Sequence, residues 1–305
     1  MIDPMDVYID LGGESTEEYI PTRALYTNAG TPFLQTPGVA LIAKTQMLSL
    51  SHGILNFIEE FDPELSFLEY LLDDVTRLTS GAALTKFAGQ LCYMSFGPGR
   101  TKNADAQRYL DHIKESGHGS VFEHTNLTFL LYGISRSLTH ELVRHRAGFG
   151  FSQVSQRYVS GKVLRFVERP EYRNVPPLHD SFMRRIDFLA EEYGELTEKL
   201  LELQKEEFEL LSGEGRTEMR KKVQQSARST LPNETEAPIV VTANVRSWRH
   251  FIEMRCNGGA ETEIRGLALR IFLCLLLAEP LLFSDYSLVK LNDGTYVVET
   301  PWRKV

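Results

Sequence analysis

The sequence predicts an α+β fold that is mainly helical and has a small mixed or antiparallel sheet. Most apolar residues recur at helical spacing, and the few β-branched runs are scattered among the helical segments instead of alternating with them. The composition, with 42% hydrophobic and 24% charged residues, is typical of a globular chain. A chain of 305 residues can bury a large core in one or two domains.

The amino-terminal half begins without clear periodicity. Residues 1–37 are interrupted by Gly, Thr and Pro, so we interpret them as an irregular arm that precedes a short strand at 39–43. Helices are predicted at 65–78, 82–93 and 104–115, and a strand at 125–132. A further helix is predicted from a cap at Ser135 or Ser137 to about Arg146, where glycines end it.

The carboxy-terminal half contains the clearest helical pattern, in which apolar residues recur in steps of four and three over 181–211. Such a stripe is typical of packing against other helices or another subunit. The remaining predictions are strands at 163–167 and 238–243, helices at 217–230, 247–255 and 261–277, and a hairpin of 287–291 with 295–299 around Asn292-Asp293-Gly294.

Charge and cysteine content exclude several classes of protein. With 33 Lys and Arg against 41 Asp and Glu, a net charge of −8 argues against binding nucleic acid by bulk electrostatics. Three cysteines without a CxxC spacing indicate neither a disulfide framework nor a structural zinc site, so we expect a reducing cytoplasm. The first 19 residues lack the pattern of a signal peptide, and the apolar stretch 271–278 is shorter than the ~20 residues of a membrane helix.

The densest polar cluster is THELVRHRAGFGFSQVSQRY at 139–158. If its start is helical, Glu141 lies one turn from Arg144 and His145. These groups, together with the hydrogen-bond donors of the serines, glutamines and arginine at 152–157, are of the kinds that bind a phosphate and a polar ring. A zinc-protease helix requires HExxH, whereas His140 and His145 are five positions apart, so we expect no metal. The structural alternative is a solvated basic helix end.

Three other clusters are candidates for function, two for binding an anion and the one at 117–124 for a metal site. Residues 224–233 offer Arg228 before a helix stop, residues 242–255 place polar groups at a strand-to-helix junction, and residues 117–124 combine imidazoles with glycines. The structural alternatives are core packing of Trp248, Phe251 and Ile252 and helix capping at 117–124. Because GxSxG, GxGxxG and P-loop motifs are absent, a nucleotide site here would consist of arginines and amides.

Taken together, these segments resemble the flavin-dependent thymidylate synthases (ThyX). The resemblance runs from about Gly38 to the terminal hairpin, and residues 1–37 have no counterpart. The motifs that carry it, in order, are VALIAKT at 39–45, FAGQLCY at 87–93, GHGSVFEH at 117–124, ISRSLTHELVRHR at 134–146, FSQVSQRYV at 151–159, ARSTLPNET at 227–235 and VVTANVRSWRHFIEMR at 240–255.

The resemblance implies a ThyX-like domain at 38–305 behind an arm at 1–37. It also implies a homotetramer with active sites between subunits, each binding FAD beside dUMP. The family methylates C5 of dUMP with 5,10-methylenetetrahydrofolate as carbon donor and NADPH as reductant, and it needs no protein nucleophile. The alternatives are a methylase of another pyrimidine nucleotide such as UMP, or a catalytically silent homologue that binds nucleotide and FAD.

The resemblance also assigns residues to the two ligands. Arg255 is the expected catalytic residue, because it would polarise the pyrimidine. The expected cofactor residues are Cys92, Ser120, Arg144, His145, Arg146, Gln153, Asn244, Val245, Arg246 and His250. The expected dUMP residues are Glu141, Leu142, Val143, Arg144, Gln153, Val154, Ser155, Gln156, Arg157, Arg228 and Arg255.

Two positions depart from the family pattern. The segment between the RHR motif and the second serine of SQVSQRY has eight residues, 147–154, where seven are usual, and two of them are glycines. Gly259 stands where relatives commonly carry a histidine. The assignments are therefore anchored on SQVSQRY and not on residues 147–150.

Overall fold

The computed structural model describes residues 2–14, 18–48, 52–60, 77–97, 100–158, 164–204, 213–303 and 305. Its helices are α1 Pro4–Asp10, α2 His52–Glu59, α3 Ser80–Cys92, α4 Ala106–Glu115, α5 Arg136–Leu142, α6 Pro176–Glu202, α7 Gly213–Ala227, α8 Val245–Arg255, α9 Thr262–Ala278 and α10 Pro280–Phe283. Its strands are β1 Tyr19–Ile20, β2 Leu25–Tyr26, β3 Pro32–Leu34, β4 Gly38–Lys44, β5 Asn126–Tyr132, β6 Phe149–Gln153, β7 Phe166–Val167, β8 Ile239–Asn244, β9 Ser287–Lys290 and β10 Tyr296–Glu299.

The main sheet has five strands in the order β1-β4-β5-β8-β6, and all of its pairs are antiparallel. A three-stranded sheet of β2, β3 and β7 contains one parallel pair, and β9 with β10 forms the predicted hairpin. The α+β prediction of a mainly helical chain with small mixed and antiparallel sheets is confirmed.

The core lies between one face of the main sheet and the helices that cover it. Alternate residues of β5 and β8 point inward, as the pleat requires, and Phe129 and Val241 are fully buried there. Helix α9 is buried on nearly every side, which explains its continuous apolar sequence. In the part of the chain that the structure describes, no helix is long and apolar enough to cross a membrane.

The amino-terminal arm is more ordered than its sequence indicates. Asp3 caps α1 by accepting a hydrogen bond from the Met5 amide, and Tyr8 of that helix is fully buried in the main core. The β1 strand extends the main sheet by pairing with β4. A helix of seven residues and strands of two or three are too short to show periodicity, so the prediction of an irregular arm was wrong in this respect.

Most other predicted elements are present within a few residues of their expected bounds. Helix α6 begins earlier than predicted, at Pro176, because proline is favoured in the first helical turn. Helix α7 ends at Ala227, and a 3₁₀ turn at Arg228–Thr230 precedes Pro232. The predicted helix at 65–78 falls almost entirely outside the described residues, as do Val163 and the predicted end of the helix at 181–211.

Candidate active site

Helix α5 is shorter than the sequence predicts, and this changes where the RHR motif lies. The hydroxyl of Ser135 accepts the Leu138 amide at 3.1 Å, which confirms the predicted cap. The helix ends at Leu142, and the Arg144 amide then bonds to the Glu141 carbonyl at 3.2 Å in a tighter turn. The expected helix to Arg146 was therefore wrong, and the RHR motif occupies the turn that follows α5.

This turn brings Glu141 and His145 to the same side chain, Arg255 at the end of α8. The Arg255 Nη1 donates to Glu141 Oε2 at 2.8 Å, and its Nε donates to His145 Nε2 at 3.0 Å. A guanidinium has no acceptor, so Nε2 of the imidazole must carry a lone pair and Nδ1 the proton. The three groups define a fixed cation at a partly exposed position.

Aromatic and basic side chains surround His145. Its ring centroid is 5.2 Å from Phe251 and 6.0 Å from His250. Burial, together with the charges of Arg255 and His250, lowers the pKa of His145 to about 4. The imidazole is therefore neutral at pH 7 and can accept the hydrogen bond from Arg255.

Four arginines of the expected site are available to an anion. Among the described residues, no carboxylate forms an ion pair with any of them, although the chain is acidic overall. They are Arg144, Arg146 and Arg157, which are exposed, and the half-buried Arg228. Unpaired guanidiniums at these positions suit phosphate groups.

The last residue of β6 and the segment after it carry polar groups of the expected site. The Gln153 amide nitrogen donates to Thr139 Oγ1 at 3.3 Å, and the Val154 amide donates to the Pro238 carbonyl at 2.9 Å. Ser155 Oγ accepts the Arg157 amide at 3.3 Å. Gln156 Nε2 is buried and has no hydrogen-bond partner within the described part of the chain, which indicates a place for a ligand acceptor.

A cavity of about 350 Å³ gathers three of the expected cofactor residues, Cys92, Ser120 and Arg246. The guanidinium of Arg246 donates to Glu123 Oε1 at 2.5 Å and covers Gly119, where an added Cβ would lie 2.8 Å from Nε. Glycine at 119 thus leaves room for the guanidinium.

Asn244 and Val245 lie at the start of α8, and Gly148, in the turn before β6, packs against this start. The Asn244 side chain caps this helix by accepting the Ser247 amide at 2.8 Å. Gly148 has φ +74°, and an added Cβ would collide with the side chains of Ser247 and Asn244. Position 148, in the segment 147–154 that is one residue longer than usual, therefore requires glycine. Val245 is fully buried and its amide bonds to the Thr125 carbonyl.

Two residues that were expected to contact a ligand have fully buried side chains, so only their backbone atoms could make the contact. The side chains of Leu142 and Val245 are both fully covered, whereas Val143 is 38% exposed. Trp248, Phe251 and Ile252 are also fully buried, which confirms the core packing considered for them.

Sequence reasoning gave no role to several side chains around the cavity. Glu123 pairs with Arg246, and the rings of Tyr93 and His118 stack at 6.2 Å with an interplanar angle of 27°. Glu123 and His118 lie within the motif GHGSVFEH, which was therefore the available signal. Their pairing with Arg246 and Tyr93 depends on contacts between distant segments.

The fold is of the α+β class, and the expected site presents arginines without carboxylate partners among the described residues, which suits small anionic ligands. The profile of the family described as "Thymidylate synthase complementing protein" (Thy1) matches residues 74–280. The chain is 44% identical over 230 residues to "Flavin-dependent thymidylate synthase" of Mycobacterium sp. (strain JLS), covering 74% of this chain and 88% of that protein. It is 42% identical over 226 residues, with the same coverage, to the protein of that name from Mycobacterium tuberculosis (strain ATCC 25177 / H37Ra).

The chain therefore belongs to the flavin-dependent thymidylate synthase family. Among solved structures, it resembles the UMP/dUMP methylase PolB from Streptomyces cacaoi bound with 5-Br dUMP. The TM-score is 0.53 at 18% sequence identity, and the match covers 82% of this chain and 94% of that one. At this identity the likeness shows a shared fold.

Proposed function

We propose that the protein is a flavin-dependent thymidylate synthase. It methylates C5 of dUMP with 5,10-methylenetetrahydrofolate as carbon donor, NADPH as reductant and FAD as cofactor. Family membership supports the reaction and the flavin. The observation that carries the proposal is the junction of Arg255, Glu141 and His145, because it assembles expected ligand residues from two distant segments at one point.

Arg255 is the residue that activates the pyrimidine. Glu141 and His145 occupy two of the five N–H groups of its guanidinium, so three remain for a ligand. A guanidinium held at the N3 and O4 side of the uracil stabilises negative charge there, which makes C5 nucleophilic. A guanidinium supplies this charge in a planar, fixed geometry and has no acceptor of its own.

The phosphate of dUMP is held by donors from two segments. Arg157 and Ser155 follow β6, and Arg228 lies in the 3₁₀ turn after α7. The buried Gln156 Nε2 offers a further hydrogen bond to the nucleotide. Charge-assisted hydrogen bonds of this kind orient a phosphate while leaving the ring to Arg255.

The flavin site combines the cavity of Cys92, Ser120 and Arg246 with the RHR turn, Asn244 and His250. When bound, the flavin supplies the hydride that completes the methyl group. No protein nucleophile is required, and burial raises the pKa of the Cys256 thiol to about 12 and also raises that of Cys274. Both thiols are therefore unsuited to nucleophilic attack.

The proposal includes a homotetramer with shared sites. An apolar row of Ala40, Leu130 and Val240 crosses the uncovered face of the main sheet through directly paired positions, and Leu130 is 36% exposed. Covering this row by another subunit would remove it from water.

We further propose that residues 38–305 form the catalytic domain and that residues 1–37 are an arm packed on it. The three cysteines are free, and we propose that the protein works in a reducing cytoplasm.

A methylase acting on UMP is the second candidate. The observation that favours it is the fold shared with a protein described as a UMP/dUMP methylase. The two candidates differ at the ribose 2′ position, so the ratio of turnover on dUMP to turnover on UMP separates them.

The decisive experiment follows NADPH oxidation by the purified protein with FAD and methylenetetrahydrofolate, with and without dUMP, and identifies the product by mass. We expect dUMP-dependent oxidation and dTMP. A protein that binds no FAD would overturn the proposal, and one that binds FAD and dUMP but forms no dTMP would be a silent homologue.

A further inference from the structure

Asp285 lies at the centre of a buried network of charges. Its two carboxylate oxygens each accept one hydrogen bond from Arg249, both at 2.8 Å, and Oδ1 also accepts one from Lys114 at 3.0 Å. Thr300 donates to Oδ2 at 2.5 Å. The side chains of Lys114 and Arg249 have no exposed area and that of Asp285 has 1%.

The two cations of this network lie behind the cavity described above, in α4 and α8, which both contribute lining residues; Gly89, Cys92 and Tyr93 line it from the side of α3. Lys114 follows the cavity-lining Ile113 in α4, shortly before Ser120. Arg249 lies one turn after Arg246 in α8. Asp285 therefore joins α4, which leads into the segment of Ser120, to α8, which carries Arg246.

The network leaves each cation little freedom. Arg249 also donates from Nη1 to the Leu282 carbonyl at 2.9 Å, and Lys114 donates to the Leu281 carbonyl at 3.3 Å. The bidentate contact between the guanidinium of Arg249 and the carboxylate of Asp285 fixes their relative orientation as well as their distance. Burial alone would raise the pKa of Asp285, but the hydrogen bond and charge of Arg249 and the charge of Lys114 hold it at about 2.

Stability by itself is a weak explanation for such a network. Buried ion pairs lose so much hydration that apolar residues of similar volume often replace them without loss of stability. Apolar contacts are not directional, so they fix the geometry between two elements less well than hydrogen-bonded ion pairs do. We propose that Asp285 is a positioning residue that, through Lys114 and Arg249, fixes the separation of Ser120 and Arg246 across the cavity.

This inference rests on the proposed function only in naming FAD as the ligand of the cavity. The test variant is Lys114→Met/Arg249→Met/Asp285→Leu, which removes the charges and retains volume. We expect a lowered melting temperature, because the carbonyls of Leu281 and Leu282 lose their donors, and an FAD dissociation constant raised at least about tenfold. A second variant, Arg249→Lys, retains the charge but loses the two-pronged contact, and we expect it to weaken FAD binding by a smaller factor.

A second readout needs no cofactor. Cys92 is the exposed thiol of the cavity, whereas Cys256 and Cys274 are buried, so its rate of reaction with a bulky aromatic disulfide reports access to the cavity. We expect the triple variant to change this rate by at least about threefold. The control is Phe182→Leu in the smaller apolar cluster, which should lower stability and leave both the rate and FAD affinity unchanged.

The outcomes separate the two proposals. A triple variant, or Arg249→Lys if the triple variant does not fold, with wild-type FAD affinity and Cys92 reactivity would overturn the positioning role. A wild-type protein that binds no FAD, with variants that still change Cys92 reactivity, would overturn the proposed function and support the positioning role.

Discussion

Arg255 donates a hydrogen bond from Nη1 to Glu141 Oε2 at 2.8 Å, although 114 positions separate the two residues in the chain. Glu141 lies at the end of α5 and Arg255 at the end of α8, so this contact joins the two helix ends that form the candidate site. With His145 as a second acceptor, the guanidinium is oriented before any nucleotide arrives. Orientation in advance is what electrostatic catalysis requires.

The first prediction concerns Arg255 itself. Arg255→Ala removes the cation beside the pyrimidine, so we expect kcat/KM for dTMP formation to fall by at least about 10²-fold while FAD affinity stays within about twofold. Steady-state kinetics and flavin titration measure the two quantities. Arg184→Ala, at an exposed position of α6, is the matched control and should behave as wild type. Unchanged turnover in Arg255→Ala would refute the assigned role.

The second prediction concerns the phosphate. Arg228→Ala removes a charge-assisted donor, so we expect KM for dUMP to rise roughly 10-fold to 100-fold, equivalent to about 1.5–3 kcal/mol. Deoxyuridine lacks the phosphate and provides the internal control, because its slower turnover should be unaffected by the substitution. Equal losses on both substrates would show that Arg228 does not act on the phosphate.

The third prediction is a pH dependence. Because the pKa of His145 is about 4 in the folded protein and ordinarily 6.5, the unfolded state binds more protons between these values. The stability from this group is present above pH 6.5 and is lost as pH falls towards 4. Discounting for the partly exposed ring, we expect about 1–2 kcal/mol.

Urea unfolding at pH 7 and pH 4.5 measures this contribution in wild type and in His145→Gln. Glutamine retains an acceptor for Arg255 but does not titrate in this range. The variant should lose less free energy of unfolding between the two pH values than the wild type. Identical losses would mean that His145 is not buried as the structure shows.

The fourth prediction tests the arm. Tyr8 is fully buried, and its hydroxyl bonds to both the amide and the carbonyl of Tyr19, at 3.1 Å each. Tyr8→Ala should therefore lower the free energy of unfolding by about 3–4 kcal/mol. Its neighbour Ile9 is 55% exposed, and Ile9→Ala should cost no more than about 0.5 kcal/mol. Equal effects would show that the arm is not packed as described.

Local sequence signals located the elements that carry the site. Ser135 caps α5 and Asn244 caps α8, and both effects arise within four residues, so a reading of the sequence can find them. The stop near Pro232 and the hairpin turn at Asn292-Asp293-Gly294 are equally local. The helix expected to reach Arg146 failed because its end depends on the turn that leads into β6.

The sequence by itself determined the α+β class, the positions of most helices and strands but not of β6, and the motifs that identify the family. Only the tertiary structure decided that Glu141 and His145 share Arg255, that Glu123 pairs with Arg246, and that the arm joins the core. Capping and periodicity are set by neighbouring residues, whereas these pairings depend on how distant segments pack. Because a hydrogen bond requires placement within a few tenths of an ångström, spacing along the chain does not determine its partner.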